Sequence, residues 1–290
     1  MDVVEVFKEI FSEVGLIDLI CVPGLIFFGV WLLRTGWGRR SLSDSAVREH
    51  RMPVYVPFVV FFIWFSLFSA GLFFTTFFSG LTDWQEVLAQ NVVFSSSAIA
   101  GSVVVIFTVR KYFAKGLKGF GLDLRTALKD FGWGFVNLLA VWPLVMLAIV
   151  LIILLGKFFY GPGYEMQKHE ELELIAQYPQ VSVRVMILLT TVFIVPVFEE
   201  FLFRGLFQTM VRSFLENWES RFKGGKGAWV AIIICSALFA TVHSTAAHWP
   251  ALFVLSMCMG YAYEKSGSLF RSIAVHLLFN LSSVLATLFQ

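Results

Sequence analysis

Long apolar stretches separated by short polar segments dominate the pattern along the chain. A membrane-spanning helix needs about 20 mostly apolar residues, and eight stretches approach or exceed that length. Several contain glycine or proline, which membrane helices tolerate. The pattern therefore predicts an all-α, polytopic transmembrane helical bundle of about eight spans. The predicted spans cover residues 16–33, 54–79, 92–109, 134–158, 183–210, 228–246, 249–264 and 269–289.

Two polar stretches have the pattern of short amphipathic surface helices. The N-terminal stretch MDVVEVFKEIFSEVG precedes the first span, and it lacks the basic region and small-residue cleavage site of a removable signal peptide. The stretch KHEELELI, Lys168 to Ile175, predicts a second surface helix, for which substrate gating is the alternative interpretation. His248, beside Trp249, is interpreted as an interfacial loop residue.

Composition supports the membrane assignment. Of the 290 residues, 58% are hydrophobic and 14% are charged, whereas soluble domains carry about 25% charged residues. Cys21, Cys235 and Cys258 lie far apart in apolar stretches without CxxC spacing, so neither a zinc cage nor a disulfide is predicted. No repeat or low-complexity linker divides the chain. We therefore expect a single integral membrane domain over residues 1–290, surrounded by the lipid bilayer, with no nucleic-acid partner.

The charges of the polar segments alternate in sign along the chain. Because basic loops of membrane proteins face the cytoplasm, the pattern predicts a cytoplasmic-type membrane protein with both termini outside. The basic segments are 34–53, 110–130 and 212–226; the acidic ones are the loop near Asp83 and Glu86 and the segment 160–180, hereafter the acidic loop.

Two adjacent carboxylates and an arginine interrupt the fifth predicted span, in the stretch FEEFLFRG. Ionisable groups at membrane depth are costly and indicate function by default. Glu200 and Arg204 are four residues apart with the acid first, so on a helix they share a face and can form an ion pair. Glu199 is rotated about 100° from Glu200. It has no obvious partner on its own helix and is free to face a cavity.

Two further polar clusters follow, FATVH ending at His243 and HLLFN from His276 to Asn280. His276 and Asn280 are four residues apart and offer hydrogen-bond donors to one side of a helix. A glutamate in apolar surroundings, histidines and an asparagine suit hydrolysis by an activated water. Each has a structural alternative: Glu199 as a protonated acid bonded to a carbonyl, the histidines as core residues, and Asn280 as a link between helices.

These clusters resemble the EExxxR, FxxxH and HxxxN motifs of the CAAX protease and bacteriocin-processing family (CPBP, or Abi) of intramembrane endopeptidases. The motifs occur in family order and cover about the last third of the chain, inside a catalytic half of about 183–290. The resemblance implies that Glu199 and His243 activate a water molecule and that His276 and Asn280 form the oxyanion site. Glu200 and Arg204 would be the supporting structural pair.

The expected function is hydrolysis of membrane-associated peptides or proteins, including membrane-anchored or lipidated ones. No cofactor is expected. Zinc is the alternative, with Glu199, His243 and His276 as ligands, although the HExxH signature is missing.

Two non-enzymatic alternatives remain: a proton-linked transporter or channel with the Glu/His/Arg set as a relay, and a catalytically silent scaffold. Counting from the basic segments at about 1.5 Å per residue, Glu199 and His243 come out deeper than His276.

Overall fold

In the part of the chain that the structure describes, eight long helices and two short α-helices build the fold. The computed structural model describes residues 16–78, 80–167, 169–223 and 225–288, and the predicted N-terminal surface helix lies outside them. Within these ranges no strand is present, and the pairing of His50 with Phe113 is an isolated bridge. The helices are α1 Leu16–Thr35, α2 Val56–Thr75, α3 Asp83–Tyr112, α4 Gly116–Phe120, α5 Ala127–Tyr160, α6 Glu170–Gln177, α7 Val181–Trp218, α8 Lys226–Thr241, α9 Trp249–Ser266 and α10 Leu269–Leu288.

The predicted class, a polytopic helical bundle, is confirmed. Helices α2, α3, α5, α7 and α10 are long and apolar enough to cross a membrane, and Ile20–Thr35 and Lys226–Thr241 are shorter apolar helices. Most of the large apolar side chains of α2 point outward; Phe62, for example, is 60% exposed. Such a surface is stable in lipid and unstable in water. The bundle is therefore built for a bilayer.

The helices alternate in direction, which gathers the basic segments at one end of the bundle. There Arg51 N–H donates to the Tyr112 carbonyl at 2.9 Å, and Lys265 pairs with Asp44 at 2.7 Å. This basic end is also tied together by the buried Glu264, which pairs with Arg48 and Arg212. The acidic loop lies at the other end. Which end faces the cytoplasm stays a prediction.

Small residues allow the central helix α5 to pack closely against its neighbours. A Cβ atom on Gly134 would lie 2.5 Å from Ala274 Cβ on α10, and one on Gly24 would lie 2.3 Å from the Leu139 carbonyl oxygen. Close backbone approach of this kind is how helices associate in membranes, where lipid is as apolar as the side chains. Helix α5 thereby fixes α10, one of the site-bearing helices.

Helix α7 is irregular at its centre. Two π-helical segments, Leu189–Ile194 and Phe201–Gln208, flank the α-helical turn Val195–Glu200. Val195 N–H donates to the Thr190 carbonyl five residues back, and Pro196 has no N–H to donate. Such π-helical insertions are rare and occur frequently at functional sites. The irregular part of α7 carries both glutamates.

The second predicted surface helix is present as α6. Its acidic residue Glu173 is exposed, while Ile175 is only 1% exposed and packs in a small cluster with Val183 and Val284. The amphipathic pattern therefore does form a surface helix, and its apolar side attaches the acidic loop to the ends of α7 and α10.

Candidate active site

Glu200 is the buried member of the glutamate pair. It is fully buried, and Arg204 beside it is 1% exposed. Arg204 Nη1 donates to Glu200 Oε1 at 2.7 Å, so the ion pair that the spacing predicts is present. Ser272 Oγ and His276 Nδ1, both on α10, also donate to this carboxylate, His276 at 3.0 Å. Three donors thus compensate the burial of one charge.

Glu199 has different surroundings, as its rotation on the helix predicts. Its side chain is 21% exposed, and its Oε2 lies 3.6 Å from His276 Nε2. The partner that Glu199 lacks on its own helix comes from α10, which places His276 between the two acids. Glu200 is an acceptor paired with arginine, so His276 Nδ1 carries the proton of that bond. The other nitrogen, Nε2, is left to face Glu199.

The contact between Glu199 and His276 also shows that the two side chains lie at the same level of the helical bundle. Counting from the loops places Glu199 deeper, yet the two side chains meet. Helix α7 extends past the start of α10 at the basic end, where its Arg212 Nη2 donates to the Ser45 carbonyl at 2.7 Å. A projecting α7 brings the middle of that helix level with the first turns of α10.

His243 lies beyond the end of α8, which stops at Thr241. The predicted span to residue 246 is therefore too long, because the polar stretch after Val242 turns instead of continuing the helix. His243 Nδ1–H donates to the Phe239 carbonyl at 2.7 Å, and Trp249 Nε1–H donates to the His243 carbonyl at 2.9 Å. The imidazole is thereby fixed with Nε2 as its remaining nitrogen.

Phe239 contacts both histidines of the predicted site. Its ring centroid lies 4.8 Å from that of His243 and 5.6 Å from that of His276, and the Arg204 guanidinium carbon lies 4.5 Å from it. In the described part of the chain, the ion pair of Glu199 is with His276 and not with His243. Any joint action of Glu199 and His243 therefore runs through a molecule placed between them.

Asn280 has a partner on α7. Its Nδ2 donates to the Thr191 carbonyl at 2.8 Å. In a π-helical register that carbonyl would accept from residue 196, which is a proline without an N–H. Asn280 thus satisfies a carbonyl that the irregular helix leaves open, and one of its two amide hydrogens remains for another acceptor.

The acidic loop brings a group of residues to this end of the site that the motifs did not indicate. His169 pairs with Glu171, its ring stacks on that of His248 at 5.6 Å, and it meets the edge of His243 at 6.5 Å. The hydrogen bond to Glu171 raises the pKa of His169 against the effect of burial, and the charge of Glu199 adds to this. Burial is the largest single influence on Glu171 and raises its pKa, but the bond to His169, the charge of His169 and smaller contributions together lower that pKa.

The donor set does not fit a zinc ion. Among the described residues, no group of three or more His, Cys, Asp or Glu side chains is arranged to hold a metal. Of the three alternative ligands, Glu199 and His276 pair with each other at 3.6 Å, and His243 is not part of that pair. We therefore derive no chemical step through a metal.

Taken together, the fold and site define a membrane-embedded helical protein with a buried glutamate, histidine and arginine cluster between two helices. Residues 181–282 match the family model described as Rce1-like, type II CAAX prenyl endopeptidase Rce1-like. About a third of the chain is thus similar to CAAX-protease-like peptidases, in agreement with the motif resemblance. No curated protein and no solved structure matched the chain. The matched segment contains Glu199, Glu200, Arg204, His243, His276 and Asn280.

Proposed function

We propose that the protein is an intramembrane endopeptidase that hydrolyses a peptide bond with a water molecule activated by Glu199. The observation that carries the proposal is the unequal environment of two adjacent acids. Glu200 is buried and paired with Arg204, whereas Glu199 is partly exposed and lies 3.6 Å from His276 Nε2. The Glu200 carboxylate is occupied by three donors and closed to water, whereas the Glu199 carboxylate is accessible to a water molecule and can act as its base.

In the proposed reaction, the water oxygen attacks the carbonyl carbon of the peptide while Glu199 accepts the water proton. His243 Nε2, the nitrogen not used for Phe239, holds the water or accepts a proton from it. The resulting oxyanion is stabilised by hydrogen-bond donors, supplied by protonated His276 Nε2 and the second amide hydrogen of Asn280. Collapse then breaks the carbon–nitrogen bond, and the proton passes to the leaving amine.

Glu200 and Arg204 contribute by holding His276. Because Arg204 and Ser272 fix the Glu200 carboxylate, its bond to His276 Nδ1 fixes the ring and directs Nε2 at Glu199. Both charges of the pair are buried, so the arrangement excludes water from that side of the site.

The family description names prenyl endopeptidases, so a prenylated peptide is the first substrate to test. Purified protein in detergent is given prenylated and unprenylated membrane-anchored peptides, and products are identified by mass spectrometry. We expect cleavage by the wild type and a loss of at least about 100-fold in kcat for Glu199→Gln and His243→Ala, the scale of general acid–base catalysis. Glu86→Gln, at an exposed position of α3, is the matched control and should retain activity.

Three results would contradict the proposal. Cleavage that survives both substitutions would remove the assigned base. Loss of activity on chelation with recovery on zinc addition would require a metal-dependent mechanism. No cleavage of any peptide, together with pH-dependent ion flux in liposomes that Glu199→Gln abolishes, would favour the transporter.

A further inference from the structure

The acidic loop lies directly over the segment that carries His243. The His169 ring stacks on His248 with an angle of 9° between the ring planes, and it meets His243 at 69°. Three imidazoles from two separate parts of the chain therefore form one group at the acidic end of the site. None of the three motifs requires His169 or His248 to be there.

Hydrogen bonds attach the loop at this point. His248 Nε2–H donates to the Gln167 carbonyl at 2.9 Å, and His169 Nδ1–H donates to Glu171 at the start of α6. The first bond joins the loop to the α8–α9 connection, and the second fixes the plane of the His169 ring. Together, the two bonds keep the His169 ring in contact with His243.

We propose that His169, paired with Glu171, is a positioning residue that orients the His243 ring for peptide hydrolysis. The inference rests on the proposed function. The His169 ring meets the His243 ring at 69°, and His243 Nδ1–H is bonded to the Phe239 carbonyl. Together these contacts hold the His243 ring in one orientation, with Nε2 as its remaining nitrogen. The charged and titratable groups facing His169 are Glu170 and Glu171 of its own loop, Glu199 of α7, and His243 and His248 of the α8–α9 connection.

The direction in which the pH profile should move follows from the raised pKa of His169. The pKa of His169 is raised, so the charged form persists to higher pH than for an ordinary histidine and is lost as pH rises through that value. Glu171→Gln removes the bond that raises the pKa. Because the bond that fixes the His169 ring is stronger when the ring is charged, the alkaline limb of the kcat profile should move to lower pH in this variant.

Two variants separate charge from packing. His169→Phe keeps an aromatic ring against His243 and His248 but removes the charge, and Glu171→Gln removes the partner. We expect kcat to fall on the order of tenfold in both, the lower end of what an outer partner of a functional histidine contributes, with KM little changed. Glu173→Gln is the matched control, since it makes the same change on the exposed side of α6 and should behave as the wild type.

A second measurement does not depend on peptidase activity. The imidazole ¹⁵N signals of His243, assigned with His243→Gln, should shift in His169→Phe and stay in place in Glu173→Gln. A wild-type kcat and unshifted His243 signals in His169→Phe would overturn the inference, even with peptide cleavage intact. Failure of the wild type to cleave any peptide, with the signals shifting as expected, would refute the proposed function and leave the His169–His243 contact supported.

Discussion

Replacing Arg204 by methionine should be among the most destabilising single changes in the described part of the chain. The side chain is 1% exposed and has three partners, namely Glu200 Oε1 at 2.7 Å, Ser256 Oγ at 2.7 Å, and the face of the Phe239 ring. Methionine fills a similar volume without charge or donors. The change therefore removes the electrostatic partner of Glu200 while creating little empty space.

The expected loss of stability depends on the hydrogen-bond partners that Glu200 keeps in the Arg204→Met variant. Its bonds to Ser272 and His276 persist, but the carboxylate loses the only arginine that contacts it in the described residues. Removing one partner of a buried ion pair costs about 3–5 kcal/mol. Glu200→Gln should cost less, because the amide oxygen still accepts from Arg204. The double variant should be more stable than Arg204→Met alone, because no buried carboxylate is left unpaired.

The free energy of unfolding would be measured by denaturant titration in detergent, followed by circular dichroism. Arg221→Met is the matched control, since Arg221 pairs with Glu219 at 2.8 Å but its side chain is 66% exposed. Exposed pairs contribute about 1 kcal/mol or less. A free energy of unfolding for Arg204→Met within about 1 kcal/mol of the wild type would refute the assignment of a buried, mutually dependent pair.

Two further predictions concern packing and the π-helical turn. A Cβ atom on Gly205 would lie 2.0 Å from Phe120 Cζ, whereas one on Gly132 would meet nothing within 4 Å. Gly205→Ala should therefore lower the free energy of unfolding by about 1–3 kcal/mol. Gly132→Ala should not, and thermal melting compares the two variants. Asn280→Ala leaves the Thr191 carbonyl without its donor and should cost about 1–3 kcal/mol besides lowering kcat; unchanged stability would mean that another donor reaches that carbonyl.

Hydrophobic pattern alone predicted the helical class and the order of the helices, but it misplaced their ends. Helix α3 was predicted to begin at residue 92 and begins at Asp83, where Gln85 Oε1 accepts from Thr82 N–H and caps the first turn. Helix α7 continues to Trp218, through polar turns that project beyond the apolar part. A run of apolar residues identifies the part of a helix that is suited to lipid. Capping and tertiary contacts decide where the helix itself ends.

Within the site, contacts along one helix were predictable and contacts between helices were not. The Glu200–Arg204 pair follows from helical spacing. Ser272 lies four residues before His276, and Asn280 lies four residues after it. The same helical spacing therefore already indicated Ser272 as a third polar residue on that face of the helix. His169 had no such signal. Its place beside His243 depends on how the acidic loop folds over the bundle, which no local pattern encodes.

The adjacency of the two glutamates has a physical consequence that neither residue has alone. On a helix, neighbouring side chains point about 100° apart, so two acids in sequence face different surroundings, and one can be neutralised while the other stays accessible. A histidine ring carries two nitrogens on opposite edges and can contact both. In this protein His276 does so, with Nδ1 on Glu200 and Nε2 toward Glu199. The buried ion pair thereby acts on the accessible acid through one rigid ring, and Arg204 influences the proposed chemistry without contacting Glu199.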